Sequence, residues 1–182
     1  MQAVFGNKGL VIYDVEELPT HGGSLRIYAA HKDSGRKASA AVTGLLEREK
    51  KAGLYETGTY TAYSKKVETV KQGLLQFLKK AKADGKKVAA YGAPAKGNTL
   101  LNYCGVKADL VSYTVDASPH KQGLLLPGSR IPIFAPQHIF DTKPDYVLIL
   151  PWNLTQEITG QMAGISQWGG KFVTAIPQLT VI

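Results

Sequence analysis

Apolar positions along this chain change rhythm near residue 86. Before it, two short runs, G-L-V-I-Y (9–13) and S-L-R-I-Y-A (24–29), flank the polar stretch P-T-H-G-G (19–23). Strand-like runs on either side of a glycine turn predict a β-hairpin. A polar break, D-S-G-R-K (33–37), precedes the segment 39–52, where Val42, Leu45, Leu46 and Ala52 fall roughly along one helical face and Gly53 marks a stop. A longer helix follows. Val67, Val70, Leu74, Phe77, Leu78 and Ala81 recur at three and four residues until Asp84 and Gly85 end it.

Beyond residue 86 short apolar runs alternate with helix-like segments. V-A-A-Y (88–91), L-V-S-Y-T-V-D (110–116), I-P-I-F (131–134), Y-V-L-I-L (146–150) and K-F-V-T-A-I (171–176) read as strands, and 146–150 is the clearest buried one. Helical segments are expected after 91, from 135 and over 155–168. Strands alternating with helices imply a mostly parallel sheet covered on both faces, an α/β, Rossmann-like domain. The expected division is residues 1–60 as a hairpin-and-helix extension and 61–182 as the Rossmann-like domain.

In such a sheet, ligands collect where strands end and helices begin. Residues 91–101, Y-G-A-P-A-K-G-N-T-L-L, form such a junction. Gly92 and Gly97 match two glycines of the dinucleotide fingerprint G-x-G-x-x-G, with Asp116 about where a ribose-binding acid belongs. The middle glycine is Pro94, whose ring and missing N–H oppose ordinary NAD binding. The phosphate loop G-x-x-x-x-G-K-[ST] fails at Asn98, which stands where its lysine belongs. What is left suits a phosphate or diphosphate without cleaving it: charge from Lys96, side-chain donors from Asn98 and Thr99, and backbone N–H groups from the Gly97 turn and helix start. The alternative is a plain strand–helix turn capped by Asn98 or Thr99.

Three other clusters fall near strand ends or turns. The stiff loop 116–133 offers Ser118, His120, Lys121 and Arg130 beside Asp116, Pro151 halts the strongest strand and leaves Trp152 and Asn153 at its edge, and His21, Ser24 and Arg26 surround the hairpin's glycine turn. Each has a bland reading as surface loop, packing or solvated turn. No catalytic residue is assigned to this chain.

Composition narrows the function classes. The 182 residues include 44% hydrophobic and 20% charged, as in ordinary globular proteins, with no apolar run near membrane-spanning length. A single cysteine, Cys104, excludes an internal disulfide, and no histidine pair has ligand spacing, so no metal site is expected. The formal charge of +8 reflects lysines spread along helix faces and would favour an anionic ligand. Without zinc-finger spacing or an aromatic–basic segment, nucleic acid is not the expected partner. The start has no secretory signal pattern, which makes the cytoplasm the expected location.

Four segments, taken together and in order, resemble the C-terminal domain of sugar-nucleotide C-methyltransferases: D-V-E-E-L-P-T-H-G-G-S-L-R (14–26), Y-G-A-P-A-K-G-N-T-L-L-N-Y-C-G (91–105), D-A-S-P-H-K-Q-G-L-L-L-P-G-S-R-I-P-I (116–133) and D-Y-V-L-I-L-P-W-N-L (145–154). The resemblance implies a S-adenosylmethionine-dependent enzyme that methylates a ring carbon of a dTDP-linked keto-deoxysugar through an enolate. It implies that S-adenosylmethionine binds in another domain and none in this chain. The cysteine-rich, S-adenosylmethionine-binding and proton-abstracting segments of that family have no counterpart here, so the chain is expected to be one part of such an enzyme and not catalytic alone. In that reading Lys96, Gly97, Asn98 and Thr99 contact the diphosphate of a nucleotide sugar. Asp116, His120 and Lys121 line the cleft, Trp152 and Asn153 flank it, and His21, Ser24 and Arg26 face a junction with the methyltransferase domain. The hairpin edge could also pair with a second copy. Two further readings stay open: a Rossmann-like scaffold that touches no ligand, and a stand-alone nucleotide- or coenzyme-binding module.

Overall fold

Alternation of side chains along four-residue strands gives the second half of the molecule two buried faces. The computed structural model describes all 182 residues and divides into two compact units, Met1–Ser64 and Lys65–Ile182.

In the first unit, α1 (Gln2–Gly6) leads into the antiparallel pair β1 (Leu10–Leu18) and β2 (Ser24–His31), and α2 (Ala40–Lys51) follows. The hairpin expected from the sequence is present, with strands several residues longer than the apolar runs. A register irregularity between Ile12 and Asp14 interrupts β1. Ser39 caps α2 by accepting from the Val42 N–H, and its hydroxyl donates to Asp14 at 2.7 Å. Ile12 and Val42 are the only buried apolar side chains of this unit. Leu25 and Ile27 instead border an open apolar hollow of about 370 Å³.

The long helix α3 (Thr57–Ala83) starts ten residues before the first apolar position of its expected stripe, Val67. Its stripe of Leu74, Leu78 and Ala81 is buried. Then come β3 (Val88–Tyr91), α4 (Ala95–Cys104), β4 (Thr114–Val115), β5 (Ile133–Phe134), α5 (Gln137–Thr142), β6 (Tyr146–Ile149), α6 (Thr155–Gln161), β7 (Lys171–Thr174) and β8 (Thr180–Val181). The strands form one six-stranded sheet in the order β5-β4-β3-β6-β7-β8, parallel except for the β7–β8 pair. This is the mostly parallel α/β sheet the sequence pattern implies.

Side-chain alternation sorts the core into two layers. Val88, Ala90, Leu148 and Val173 pack with α3 and α4, while Ala89, Tyr91, Val147, Ile149 and Phe172 pack with α5 and α6. Both faces are therefore covered. Each fully buried leucine or isoleucine contributes about 1.5–3 kcal/mol relative to exposure.

Three elements differ from the sequence pattern. The run 110–116 yields only the two-residue β4, because residues 107–111 turn before the chain enters the sheet. The expected helix 155–168 ends at Gln161 and continues as a 3-10 segment, Ala163–Trp168. The antiparallel β8 has no counterpart in the apolar pattern, since its two residues are exposed.

Candidate functional site

Strand order reverses between β3 and β6. The chain moves from β3 outward through β4 to β5, then returns to β6 on the other side. The crevice at such a reversal, outside the carboxyl ends of the strands, is where doubly wound sheets take ligands. Here it is formed by Gly92 after β3 and Pro151 after β6. Gly92 has φ of +90°, and a Cβ on it would lie 2.6 Å from Pro151 Cδ. Only glycine permits both the turn and the close approach.

The turn offers fewer free backbone donors than its sequence suggests. The Gly92 N–H donates to the Val115 carbonyl at 2.6 Å, the Ala93 N–H donates to Asp116 Oδ2 at 2.7 Å, and Pro94 has none. Pro94 is itself the N-cap, so α4 starts earlier than the sequence reading placed it and neither Asn98 nor Thr99 caps it. Gly97 lies inside the helix and is buried, needed for contact because a Cβ there would sit 2.6 Å from Leu150 Cβ. Donors remain on the first helical turn, at Ala95, Lys96 and Gly97. Thr99 spends its hydroxyl on the Ala95 carbonyl at 3.1 Å. The Asn98 Oδ1 is buried without a partner, and its N–H donates to the Pro94 carbonyl.

Lys96, Trp152 and Asn153 are brought together. The ammonium lies 4.7 Å from the centroid of the Trp152 ring and donates to Asn153 Oδ1. Trp152 is partly buried against the α3–α4 core layer. A lysine held over an indole by a neighbouring amide is an ordered cation at the surface.

Asp116 and Lys121 form a second group. Asp116 Oδ1 accepts from the Ser118 N–H at 2.9 Å, and Oδ2 accepts from Ala93 N–H and from Lys121 Nζ at 3.0 Å. Lys121 also donates to the Ala93 carbonyl at 3.2 Å. Burial alone would push the Asp116 carboxyl up, but these N–H and ammonium donors outweigh it and hold it below the usual carboxylate value. With both oxygens engaged, Asp116 braces the β3–α4 turn and does not present a free carboxylate to a ribose.

Asp116 and Lys121 border a cavity of about 310 Å³ with Gly92, Pro94, Pro151 and Leu154. Its remaining wall comes from Ala117 beside Asp116 and from β3 and α6: Tyr91, Glu157, Ile158 and Gln161. The Tyr91 hydroxyl lies 3.5 Å from Gln161 Oε1, and Gln161 Nε2 donates to Glu157 Oε1 at 3.0 Å. Burial first, then the charges of Asp116 and Glu157, raise the Tyr91 phenol above its ordinary value, so it stays protonated. Sequence reasoning did not single out Glu157 or Gln161. The available signal was a pair of polar residues at i and i+4 on the helix directly after the strongest strand.

The other expected residues stand apart from this cavity. His120 is exposed and makes no hydrogen bond. In the first unit, His21 adopts φ 57° in the turn, Ser24 Oγ donates to the Thr20 carbonyl at 3.0 Å, and Arg26 donates to Glu16 at 2.8 Å. Those bonds shape the hairpin. Burial pushes the Cys104 thiol up, which keeps it un-ionised. No cluster of three acidic, histidine or cysteine side chains could hold a metal ion, and no helix is long and apolar enough to cross a membrane.

Comparison with known proteins adds three findings. Residues 19–177 match the family described as C-methyltransferase C-terminal domain. The C-methyltransferase NovU of Streptomyces niveus is 37% identical over 179 residues, which take in 98% of this chain and 43% of that protein, so the chain spans less than half of the curated relative's length. The crystal structure of UDP-D-quinovosamine 4-dehydrogenase from Vibrio fischeri aligns with 53% of this chain and 93% of its own, at 19% identity and a TM-score of 0.40, too distant a likeness to support any inference.

Proposed function

The chain belongs to the C-methyltransferase C-terminal domain family, and from that premise we propose that it holds a nucleotide-linked keto-deoxysugar for a S-adenosylmethionine-dependent C-methyltransferase. The observation that supports this most is the coincidence of the β3–β6 strand reversal with an ordered cation, Lys96, and an adjoining cavity. The diphosphate lies across the first turn of α4, where the N–H groups of Ala95, Lys96 and Gly97 and the helix dipole favour negative charge. Lys96 turns from Asn153 to a phosphate oxygen. Trp152 and Asn153 flank that position, and Asp116 with Lys121 keeps the turn rigid behind it. Partners in this reading are a dTDP-type nucleotide sugar and the methyltransferase domain of the longer enzyme, with His21, Ser24 and Arg26 facing that domain. In the same reading the hairpin edge pairs with a second copy, which a solution mass measurement tests. The protein acts in the cytoplasm.

The residues present do not fit S-adenosylmethionine. The β3 turn has no free N–H between Gly92 and Pro94, and the acid at the end of β4 has both oxygens bonded. No step of methyl transfer is therefore assigned to this chain. The same features oppose an independent dinucleotide module.

A scaffold role has one observation in its favour: Lys96 and Asp116 already have protein partners. Calorimetric titration with dTDP separates the two readings. Ligand binding predicts measurable heat and an affinity roughly tenfold weaker in Lys96→Ala, the size of one lost charged hydrogen bond. No binding, or an unchanged dissociation constant in the variant, overturns the proposal in favour of the scaffold.

A further inference from the structure

The inference rests on the ligand-holding reading above and concerns which part of the ligand enters the cavity. Its charges decide the matter. Lys121 is neutralised by Asp116 at 3.0 Å, so that pair presents little net charge. Glu157 has no cationic partner and stands exposed in the cavity wall. A phosphate placed there meets an unbalanced carboxylate.

The remaining lining is apolar or offers acceptor oxygens at Glu157 and Gln161, with the Tyr91 hydroxyl, a donor, 3.5 Å from Gln161 Oε1. Pro94, Pro151, Leu154 and Ile158 offer hydrocarbon. Glu157 keeps Oε2 free while Oε1 accepts from Gln161, and Gln161 Oε1 receives only the long 3.5 Å contact from Tyr91. Hydrocarbon together with carboxylate and amide oxygens complements a ring that bears C–H faces and hydroxyl donors. About 310 Å³ sits at the small end of ligand pockets, roughly 300–1,000 Å³, and suits one ring better than a whole nucleotide sugar.

We propose that this cavity receives an uncharged, hydroxylated sugar ring adjoining the diphosphate, with Glu157 and Gln161 accepting hydrogen bonds from its hydroxyl groups. Glu157 also repels the diphosphate and so directs it toward Lys96. The residue sets the ligand's orientation by excluding one end and accepting the other. Two rings answer this description, the sugar of the nucleoside and the transferred hexose.

The test uses the 182-residue chain, its Glu157→Gln and Gln161→Met variants, and three probes: inorganic pyrophosphate, dTDP and dTDP-glucose, followed by calorimetry. Glu157→Gln should weaken dTDP-glucose about tenfold, as expected for loss of a charged acceptor, and leave pyrophosphate unchanged or tighter. Gln161→Met should weaken dTDP-glucose in the same direction by less. Weakening of dTDP to the same degree assigns the nucleoside's sugar, and weakening of dTDP-glucose alone assigns the hexose; either result supports the proposal. If the wild-type chain binds dTDP-glucose and both variants bind it equally well or more tightly, the proposal is overturned. If the wild-type chain binds none of the three probes, the ligand-holding reading fails and this inference fails with it.

Discussion

The two units of this chain reach order by different means. Met1–Ser64 buries Ile12 and Val42 alone, and leaves Leu25, Leu54, Tyr55 and Tyr60 exposed. Its hairpin is held by β1–β2 backbone pairing and by surface contacts such as Arg26–Glu16 and Arg48–Glu17. Exposed ion pairs of that kind add little, since water screens them and side-chain entropy opposes them. Lys65–Ile182 instead contains every other buried apolar residue, in two layers around a parallel sheet. A two-stranded sheet lacks the buried area for independent stability, whereas six strands covered on both faces have it. The candidate cleft falls on one side of that division: Lys96 over Trp152, the Asp116-braced turn and the adjoining cavity all belong to the second unit.

The largest expected effect follows from this contrast. Both tryptophans, Trp152 and Trp168, lie in the second unit, so their fluorescence reports that unit alone, while far-ultraviolet dichroism reports both. In urea the dichroism should begin to fall before the fluorescence changes, as the first unit opens at lower free energy. Leu148→Ala, at a fully buried position shared by β6 and the α3–α4 layer, should lower the unfolding free energy reported by fluorescence by about 2–5 kcal/mol. Leu25→Ala should alter it by about 0.5 kcal/mol or less. Coincident transitions in the two probes would show the chain to be one cooperative body and remove the distinction.

That contrast also governs how much was legible in the sequence. Burial imposes periodicity, so α3, β3 and β6 could be read from their apolar spacing. The exposed β8 and α1 impose none and were not foreseen. Within the candidate site, the sequence pattern puts Lys96, Trp152 and Asn153 beside strand ends, and the structure brings the three into contact. Their hydrogen-bond assignments were beyond the sequence. Motif spacing puts Gly97 in a turn, but the constraint on it is Leu150, just past the end of β6. Asp116 was placed by analogy with a ribose-binding acid, although its oxygens bind Ala93, Ser118 and Lys121. His120 shares the loop of Lys121 yet stays in solvent, because spacing along a loop does not fix which way each side chain turns. Glu157 and Gln161 were hidden by the amphipathic reading of their helix, which accounts for Ile158 but not for its polar neighbours.

A second substitution sharpens the comparison inside the folded core. Gly97→Ala adds one methyl group facing Leu150 Cβ at 2.6 Å, and neither Cβ can rotate away. The gain in helix propensity, about 1 kcal/mol, opposes the clash. Overpacking should prevail and leave a net loss of about 2–3 kcal/mol, with the α4–β6 spacing widened. Gly44→Ala in α2 of the first unit has open space around its Cβ and should stabilise by propensity alone. The two variants, made by the same chemistry, should move thermal midpoints in opposite directions. A stabilising Gly97→Ala would mean that β6 and α4 are packed less tightly than Leu150 requires.

The smallest effect concerns pH and the braced turn. Asp116 is held ionised in the fold by Ser118, Ala93 and Lys121 despite its burial, so its folded pKa lies below the unfolded one. The sign follows directly: this stabilisation is present above the unfolded carboxylate value of about 3.9 and is lost as pH falls through the folded value. Asp116→Asn removes the charge and can satisfy only one of the two backbone donors, which should cost roughly 1–2 kcal/mol at pH 7. Below pH of about 4 the wild-type protein loses the same interaction, and the gap between the two proteins should narrow. The surface carboxylate Asp109 is also held below its ordinary value, chiefly by its hydrogen bond from Lys82, but it is exposed, so Asp109→Asn should leave the acid limb nearly unchanged. Urea midpoints measured from pH 7 to pH 3 distinguish the cases. A gap between wild type and Asp116→Asn that stays constant with pH would mean that the carboxylate's charge is not what holds the β3–α4 turn, leaving Lys121 without its proposed role beside the cavity.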